Sequence, residues 1–277
     1  MNVDFVVVGN PKSGSSSLYD ILSLVEDVEM SKMKEPGLFF LDKKNFIRKY
    51  KVNFSNKENM IRGEASVGYS INEEAITRII NFNPKVKVIL MIRNPIERTY
   101  SHYWHKIKMN ELELDFNSVL NKNPNHEIFK FSRYLDHKKT LLKYIPEENI
   151  LIVPMEKLNN DYWIYKISQF LSIQNPKILK NPIHSNKSTT HRSKILNKFI
   201  NYIRTHLDLS LILPKPLYLL FRKIWHRVKA LNQKNYEYPK MSDDIRNQLE
   251  EIFAFEIQMW KEIISDNEEN ENSYPRN

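Results

Sequence analysis

The sequence predicts an α/β fold in which helices cover both faces of a central, mostly parallel sheet. Three short apolar runs rich in β-branched residues predict buried strands, at residues 3–8, 86–92 and 149–154. Each run is followed by a segment in which apolar residues recur at helical spacing. Alternation of this kind is typical of a parallel sheet, because parallel strands require crossover connections.

The first predicted strand ends at Gly9, and a loop rich in hydroxyl groups connects it to the first helix. This loop contains Lys12, Gly14 and the serines Ser13, Ser15, Ser16 and Ser17. Backbone amides, the positive end of the helix and the lysine ammonium converge there, which suits a phosphate. A Walker A loop would end in Gly-Lys-Ser/Thr, whereas Lys12 lies two residues before Gly14. The loop therefore predicts an anion site that fits ATP and GTP poorly.

The second strong signal is the helix start that follows the run 86–92. Asn94, Pro95 and Glu97 fit the N-cap, first and third helical positions, which together predict a capping box. The predicted helix has an apolar stripe of Ile96, Tyr100, Tyr103 and Ile107. Its separate polar face carries Arg98, Ser101, His102 and His105. Arg93 and Ser101 can reach one anion together at the sheet edge, where open α/β sheets bind ligands.

Glu35 is a carboxylate on a predicted loop at the end of a structural element, where active-site groups often lie. It precedes Pro36, which favours an extended backbone. The alternative for Glu35 is a solvated ion pair with Lys34.

Composition and charge limit the class of protein and the kinds of site that the chain can form. With 277 residues, 41% of them hydrophobic and 27% charged, the chain has the composition of a globular protein. It contains no cysteine, which excludes a disulfide framework and a thiolate metal site. Residues 176–240 hold 14 Lys and Arg but only two acidic residues, so a polyanion or a membrane surface would bind there. No apolar run is long enough to span a membrane, and the first strand begins at Val3, so we expect a cytoplasmic protein.

Further helices are predicted at residues 73–82, 131–144, 161–171 and 243–264. Residues 195–231 are apolar and basic together, which fits either a helical lid on the sheet or an interfacial segment on anionic lipid. We expect one domain over 1–277, with an α/β core at 1–175, a basic helical lid at 176–264 and a disordered tail at 265–277.

Four segments resemble sulfotransferases that use 3′-phosphoadenosine 5′-phosphosulfate (PAPS), nearest the carbohydrate and heparan-sulfate branch. They are PKSGSSSL at 11–18, KEPGLFF at 34–40, GEASVGY at 63–69 and RNPIERTYSHY at 93–103. The resemblance implies a P-loop-like three-layer fold. It further implies that Lys12 and residues 13–17 hold the 5′-phosphosulfate, and that Arg93 and Ser101 hold the 3′-phosphate. Glu35 would be the general base.

The same resemblance makes Glu64 a second candidate base and places His105 near the acceptor. Lys187 and Arg192, in a polar segment at 186–192, would belong to a basic loop that closes over the 3′-phosphate and adenine. The reaction would need no metal and would release 3′-phosphoadenosine 5′-phosphate (PAP). The acceptor would be a hydroxyl or amine of a glycan, a glycolipid or another molecule, and an acidic acceptor would suit the basic segment.

Two other functions stay open from the sequence. A P-loop-like phosphotransferase would share the fold and use ATP with Mg²⁺. A basic binding module for a membrane or a nucleic acid would use the 176–240 surplus of cations. For the enzyme we expect no nucleic-acid partner, and peripheral contact with the inner face of a membrane through 195–231 is the alternative to a purely soluble location.

Overall fold

The computed structural model describes residues 1–55, 57–174, 189–191, 213–231, 233–235 and 238–273. Its main sheet has five parallel strands in the order β2-β3-β1-β4-β5. These strands are β1 (Phe5–Gly9), β2 (Val28–Met30), β3 (Ile61–Ala65), β4 (Lys87–Ile92) and β5 (Ile150–Pro154). A second sheet pairs β6 (Thr189–His191) with β7 (Gln233–Asn235) in antiparallel fashion.

Eleven helices are found in the described part of the chain. The first six are α1 (Ser15–Leu22), α2 (Lys43–Asn53), α3 (Glu73–Phe82), α4 (Pro95–Lys108), α5 (Phe116–Lys122) and α6 (Glu127–Lys130). The others are α7 (Tyr134–Leu142), α8 (Asp161–Leu171), α9 (Lys215–Leu231), α10 (Asp243–Ile252) and α11 (Ala254–Ser273). Among the described helices, none combines the length and the hydropathy that a membrane-spanning helix requires.

Helices cover both faces of the sheet, as the sequence predicts. Alternate strand residues point to opposite sides, so Val7 and Ile89 pack in one cluster while Val6 and Val88 pack in the other. Residues of α1 and α8 complete the first cluster, and residues of α2, α3 and α7 complete the second. A third cluster joins α4 to α5, α6 and α10 outside the sheet. The predicted three-layer α/β architecture is confirmed.

The start of α4 differs from the predicted capping box in one bond. The Asn94 side chain accepts hydrogen bonds from the amides of Ile96 and Glu97, as expected of an N-cap. The Asn94 amide, however, donates to Glu156 Oε1 at 2.9 Å, whereas the Glu97 carboxylate pairs with Arg246 at 3.1 Å. Glu156 therefore fixes the turn after β4, a role that the local sequence pattern does not indicate.

Several predicted elements have different bounds in the structure. The helix predicted at 131–144 begins at Tyr134, and the one predicted at 243–264 is two helices that meet at Phe253, where the backbone leaves helical geometry. Part of the loop predicted at 186–192 forms β6. Of the segment predicted at 195–231, the structure describes residues 213–231, which include α9.

Candidate functional site

The loop between β1 and α1 has the features of an anion site. Lys12 and Gly14 both have left-handed backbone, with φ of +71° and +87°. A Cβ at Gly14 would lie 2.7 Å from Met155 Cγ, so both the conformation and the space require glycine. No side chain caps α1, and its first turn contains no acidic residue. The amides of that turn lack intrahelical acceptors. Asn10 is fully buried, and neither polar atom of its side chain has a hydrogen-bond partner among the described residues.

Positive charge is concentrated around Lys12. Burial lowers the pKa of Lys12 from its usual 10.5 to about 8, and the nearby cations Lys108, Arg93 and Lys34 lower it further in that order. Arg93 follows β4 directly, and its Nη1 donates to the Lys12 carbonyl at 3.4 Å. The Tyr134 hydroxyl donates to the Arg93 carbonyl at 2.8 Å and thereby fixes the end of β4. The ends of β1 and β4 thus bring Lys12 and Arg93 close together.

Three of the four residues on the predicted polar face of α4, Arg98, Ser101 and His102, are buried. Arg98 is fully buried, and its guanidinium donates to the Ser132 hydroxyl at 2.5 Å and to the Pro11 carbonyl at 3.3 Å. Burial lowers the pKa of Arg98 to about 10. The Pro11 bond ties α4 to the anion loop. Ser101 is also buried, at 5% exposure. The amphipathic pattern did not reveal this, because the segment that covers the face lies about thirty residues away in sequence.

Glu35 lies on a loop between β2 and α2, as expected, but its backbone is not extended. It has φ of +56°, an uncommon conformation for a residue other than glycine. The Glu35 amide donates to the Ala65 carbonyl at 3.0 Å, which holds the residue against the end of β3. Its side chain is 44% exposed and lies 3.3 Å from Lys34 Nζ. The Lys34 ammonium also contacts the Ser16 hydroxyl and so connects Glu35 to the anion loop.

Glu64 is fully buried, unlike Glu35. Its two carboxylate oxygens accept from the Ser66 hydroxyl at 2.7 Å and from the Tyr69 hydroxyl at 2.5 Å. Burial raises the pKa of Glu64 to about 7, and the two hydroxyl donors oppose that rise. With no exposed surface, the Glu64 carboxylate cannot reach an acceptor molecule. Of the two candidate carboxylates, only that of Glu35 is exposed.

His105 lies on α4 near the anion loop. Burial lowers its pKa to about 4, and the neighbouring cations Lys12 and Lys108 contribute, so the imidazole is neutral at pH 7. Its Nδ1 atom is buried without a hydrogen-bond partner in the described part of the chain. Lys187 and Arg192 fall outside the described residues. Within the described ranges, no group of three His, Asp or Glu side chains could hold a metal ion.

The sequence patterns point to the loop, Arg93 and Glu35 but not to three residues that contact them. Lys34 joins the Glu35 carboxylate to Ser16, a contact that a solvated Lys34–Glu35 pair does not imply. The patterns place Arg98 only on a polar helix face and Tyr134 only in a predicted helix. A lysine next to the candidate base was the only visible signal among these.

The comparisons with known proteins agree with this geometry. A family model described as the sulfotransferase domain matches residues 2–199. The bifunctional heparan sulfate N-deacetylase/N-sulfotransferase 1 of Caenorhabditis elegans is 22% identical over 270 residues, which cover 91% of this chain and 28% of the relative. Heparan sulfate glucosamine 3-O-sulfotransferase 5 of Mus musculus is 27% identical over 169 residues, which cover 55% of this chain and 48% of the relative. This chain therefore spans less than half the length of these two curated relatives.

Among solved structures, a sulfotransferase from Alicyclobacillus acidocaldarius superposes with a TM-score of 0.56. The two proteins are 18% identical, and the superposition covers 76% of this chain and 94% of the other. This similarity shows a shared fold.

Proposed function

The chain belongs to the sulfotransferase family, and we propose that it transfers a sulfuryl group from PAPS to a hydroxyl or amine of a carbohydrate-type acceptor. One observation carries the proposal. Lys34 contacts both Ser16 of the anion loop and the exposed carboxylate of Glu35, which brings a base and an anion site into one place. In-line transfer requires that pairing, because the acceptor must lose a proton while it attacks the bound donor.

The residues of the anion loop fit the phosphosulfate end of PAPS. The uncapped start of α1 and the partly exposed Lys12 ammonium both provide donors to an anion. Ser13, Gly14, Ser15, Ser16 and Ser17 would hold that end with backbone and hydroxyl groups. Arg93 and Ser101 would hold the 3′-phosphate, and Lys187 and Arg192 remain predictions for the same end.

Each charged residue has a distinct role in the proposed reaction. PAPS supplies an activated sulfuryl group. Glu35 accepts the proton of the acceptor, and its 44% exposed side chain is open to a bulky molecule. Lys12 places an ammonium where negative charge develops on the departing phosphate. His105, neutral at pH 7, lies near Lys12 and would hydrogen-bond to the acceptor.

The names of the relatives guide the choice of acceptor. Two of them carry heparan sulfate in their names. We propose a saccharide hydroxyl or amine on a glycan or glycolipid, and no nucleic-acid partner. The basic segment at 176–240 would favour an acidic glycan. A cytoplasmic location, at the inner face of a membrane for a lipid-linked acceptor, remains a proposal.

Donor binding tests the proposal most directly. Calorimetry would compare PAP without metal against ATP with Mg²⁺, for the wild type and for Lys12→Ala and Arg93→Ala. We expect the wild type to prefer PAP and both variants to bind it at least about tenfold more weakly, since each loses a charge-assisted contact. Lys122→Ala, which removes an exposed lysine at the end of α5, is the control and should bind like the wild type. A preference for ATP with Mg²⁺ would instead support a phosphotransferase.

Membrane contact is a second element of the proposal. Leu217, Leu220 and Ile224 recur at helical spacing on α9 and are more than half exposed, at 57%, 60% and 54%. The segment is strongly basic, so its charge is complementary to an anionic bilayer. We expect flotation with phosphatidylglycerol vesicles, and loss of it in Leu220→Asp but not in Leu24→Asp, which alters a similarly exposed leucine elsewhere. Equal flotation of both variants would refute the contact.

A further inference from the structure

The loop that carries Glu35 is fastened to a buried polar cluster. Three backbone amides of the loop donate to the segment that ends β3. Glu35 N donates to the Ala65 carbonyl at 3.0 Å, Gly37 N to the Ser66 hydroxyl at 3.0 Å, and Phe39 N to the Tyr69 hydroxyl at 3.1 Å. Two of the three acceptors are therefore side-chain hydroxyls, whose orientation depends on their own partners.

Glu64 determines how those hydroxyls are oriented. Ser66 and Tyr69 each direct their hydroxyl hydrogen at one Glu64 oxygen, which leaves their lone pairs to accept from the loop amides. Without the Glu64 carboxylate, either hydroxyl could rotate and donate elsewhere. The chain of bonds runs from Glu64 through two hydroxyls to the backbone that flanks Glu35.

Apart from the bond of its amide to the Ala65 carbonyl, Glu35 is held only weakly, so the bonds at Gly37 and Phe39 matter for the position of the loop. The left-handed backbone of Glu35 is unfavourable for a residue with a side chain. Its Lys34 partner is itself 32% exposed, and an ion pair this exposed to water adds little rigidity. The Tyr69 ring also packs on Phe40, with the ring centroids 4.7 Å apart, so the same residue holds the loop by packing and by hydrogen bonding.

We propose that Glu64, Ser66 and Tyr69 are positioning residues, which hold the Glu35 carboxylate toward the anion loop through the amides of Gly37 and Phe39. This inference rests on the proposed function, since it gives Glu35 the role of base. It assigns Glu64 a role that touches neither donor nor acceptor. The cluster lies beside the loop of Glu35, whereas Lys12 and Arg93 are held by other contacts.

The positioning role predicts separate effects on turnover and on donor binding. Loss of one hydroxyl should lower kcat for PAPS turnover about ten- to a hundredfold, because small displacements of a catalytic group have effects of that size. The affinity for PAP should stay within about twofold of the wild-type value. A purely structural role would reduce both together.

The experiment uses Tyr69→Phe, Ser66→Ala and Glu64→Gln in the full chain. PAP release from PAPS is measured with heparosan oligosaccharide and with water as acceptors, and PAP affinity is measured by calorimetry. Hydrogen exchange compares a peptide covering 33–41 with one covering 9–20. Tyr50→Phe is the control, since it also removes a tyrosine hydroxyl from a buried ring, but one that bonds only to the Asn2 backbone among the described bonds.

Lower kcat with unchanged PAP affinity, and faster exchange confined to 33–41, would support the proposal. It would be overturned by unchanged exchange in that peptide, or by losses of PAP affinity that match the losses of kcat. The same result for Tyr50→Phe would also overturn it. Should Glu64→Gln fail to fold, the two hydroxyl variants decide the question. A wild type that binds no PAP would refute the proposed function, while the exchange data would still test the fastening of the loop.

Discussion

Binding of PAP should be coupled to protonation of Lys12. The pKa of Lys12 is lowered to about 8 by burial, with Lys108, Arg93 and Lys34 adding to the effect. The difference from the usual 10.5 corresponds to about 3 kcal/mol against the charged ammonium. An anion bound beside the ammonium reverses this penalty and raises the pKa again. Binding therefore selects the charged form of Lys12.

The magnitude follows from the fraction of Lys12 that is charged before binding. With a pKa of about 8, roughly nine-tenths is charged at pH 7, half at pH 8 and one-tenth at pH 9. The affinity for PAP should therefore fall about tenfold from pH 7 to pH 9, and at pH 8 each binding event should take up about half a proton. Phosphate groups are almost fully ionised above pH 7, so the ligand contributes little to this slope.

Calorimetry at pH 7, 8 and 9 in two buffers with different ionisation enthalpies measures both the affinity and the proton uptake. Lys12→Arg keeps its charge throughout this range and should show a flat profile, whereas Lys12→Ala should be weak and flat. A wild-type affinity that does not change with pH, or a slope that persists in Lys12→Arg, would refute the assignment of the proton to Lys12.

Three further predictions follow from the site. Lys34→Met removes the ammonium beside the candidate base and should lower PAPS turnover about tenfold, measured as PAP release; unchanged turnover would contradict its role. Gly14→Ala forces a left-handed alanine against a neighbouring methionine and should destabilise the fold by at least about 1 kcal/mol in denaturant titrations. Burial lowers the pKa of three histidines, to about 2 for His102 and about 4 for His105 and His137. Their folded pKa values lie below the usual 6.5, so burying the neutral imidazoles costs nothing above pH 6.5, and the free energy of unfolding falls as pH drops below it. On unfolding the three histidines take up three protons and Glu64, with its raised pKa, releases one. The free energy of unfolding should therefore fall by about 3 kcal/mol per pH unit between pH 6 and 5. Constant stability over that interval would contradict the burial of the neutral imidazoles.

Local patterns predicted the elements of this fold well, because each depends on neighbours in sequence. The helices Glu73–Phe82 and Asp161–Leu171 have the predicted bounds, since an N-cap and an apolar stripe define them. The anion loop was predictable for the same reason. The backbone conformation of Glu35 was not predictable. The proline after it favours an extended backbone, whereas the residue is left-handed and its amide bonds to the distant Ala65 carbonyl.

Burial of polar residues was the information that the sequence could not provide. Periodicity places Arg98 and Ser101 on one face of a helix but does not say what covers that face. Here the segment around Ser132 covers it and supplies a hydroxyl to the guanidinium. The same limit applies to Glu64. The sequence makes it a second candidate base, but it does not show that the carboxylate is unexposed and bonded to two hydroxyls.

Strand order explains how the site assembles from distant segments. Because β1 pairs with β4, with Gly9 opposite Met91, the anion loop and Arg93 leave the sheet side by side. Because β3 lies between β2 and β1, the Glu35 loop that follows β2 must cross the end of β3 to reach the anion loop. The hydroxyls of Ser66 and Tyr69 stand at that crossing. A candidate base held this way depends on the β1–β3 pairing, whereas the cations depend on the β1–β4 pairing, so the two halves of the site can be perturbed separately.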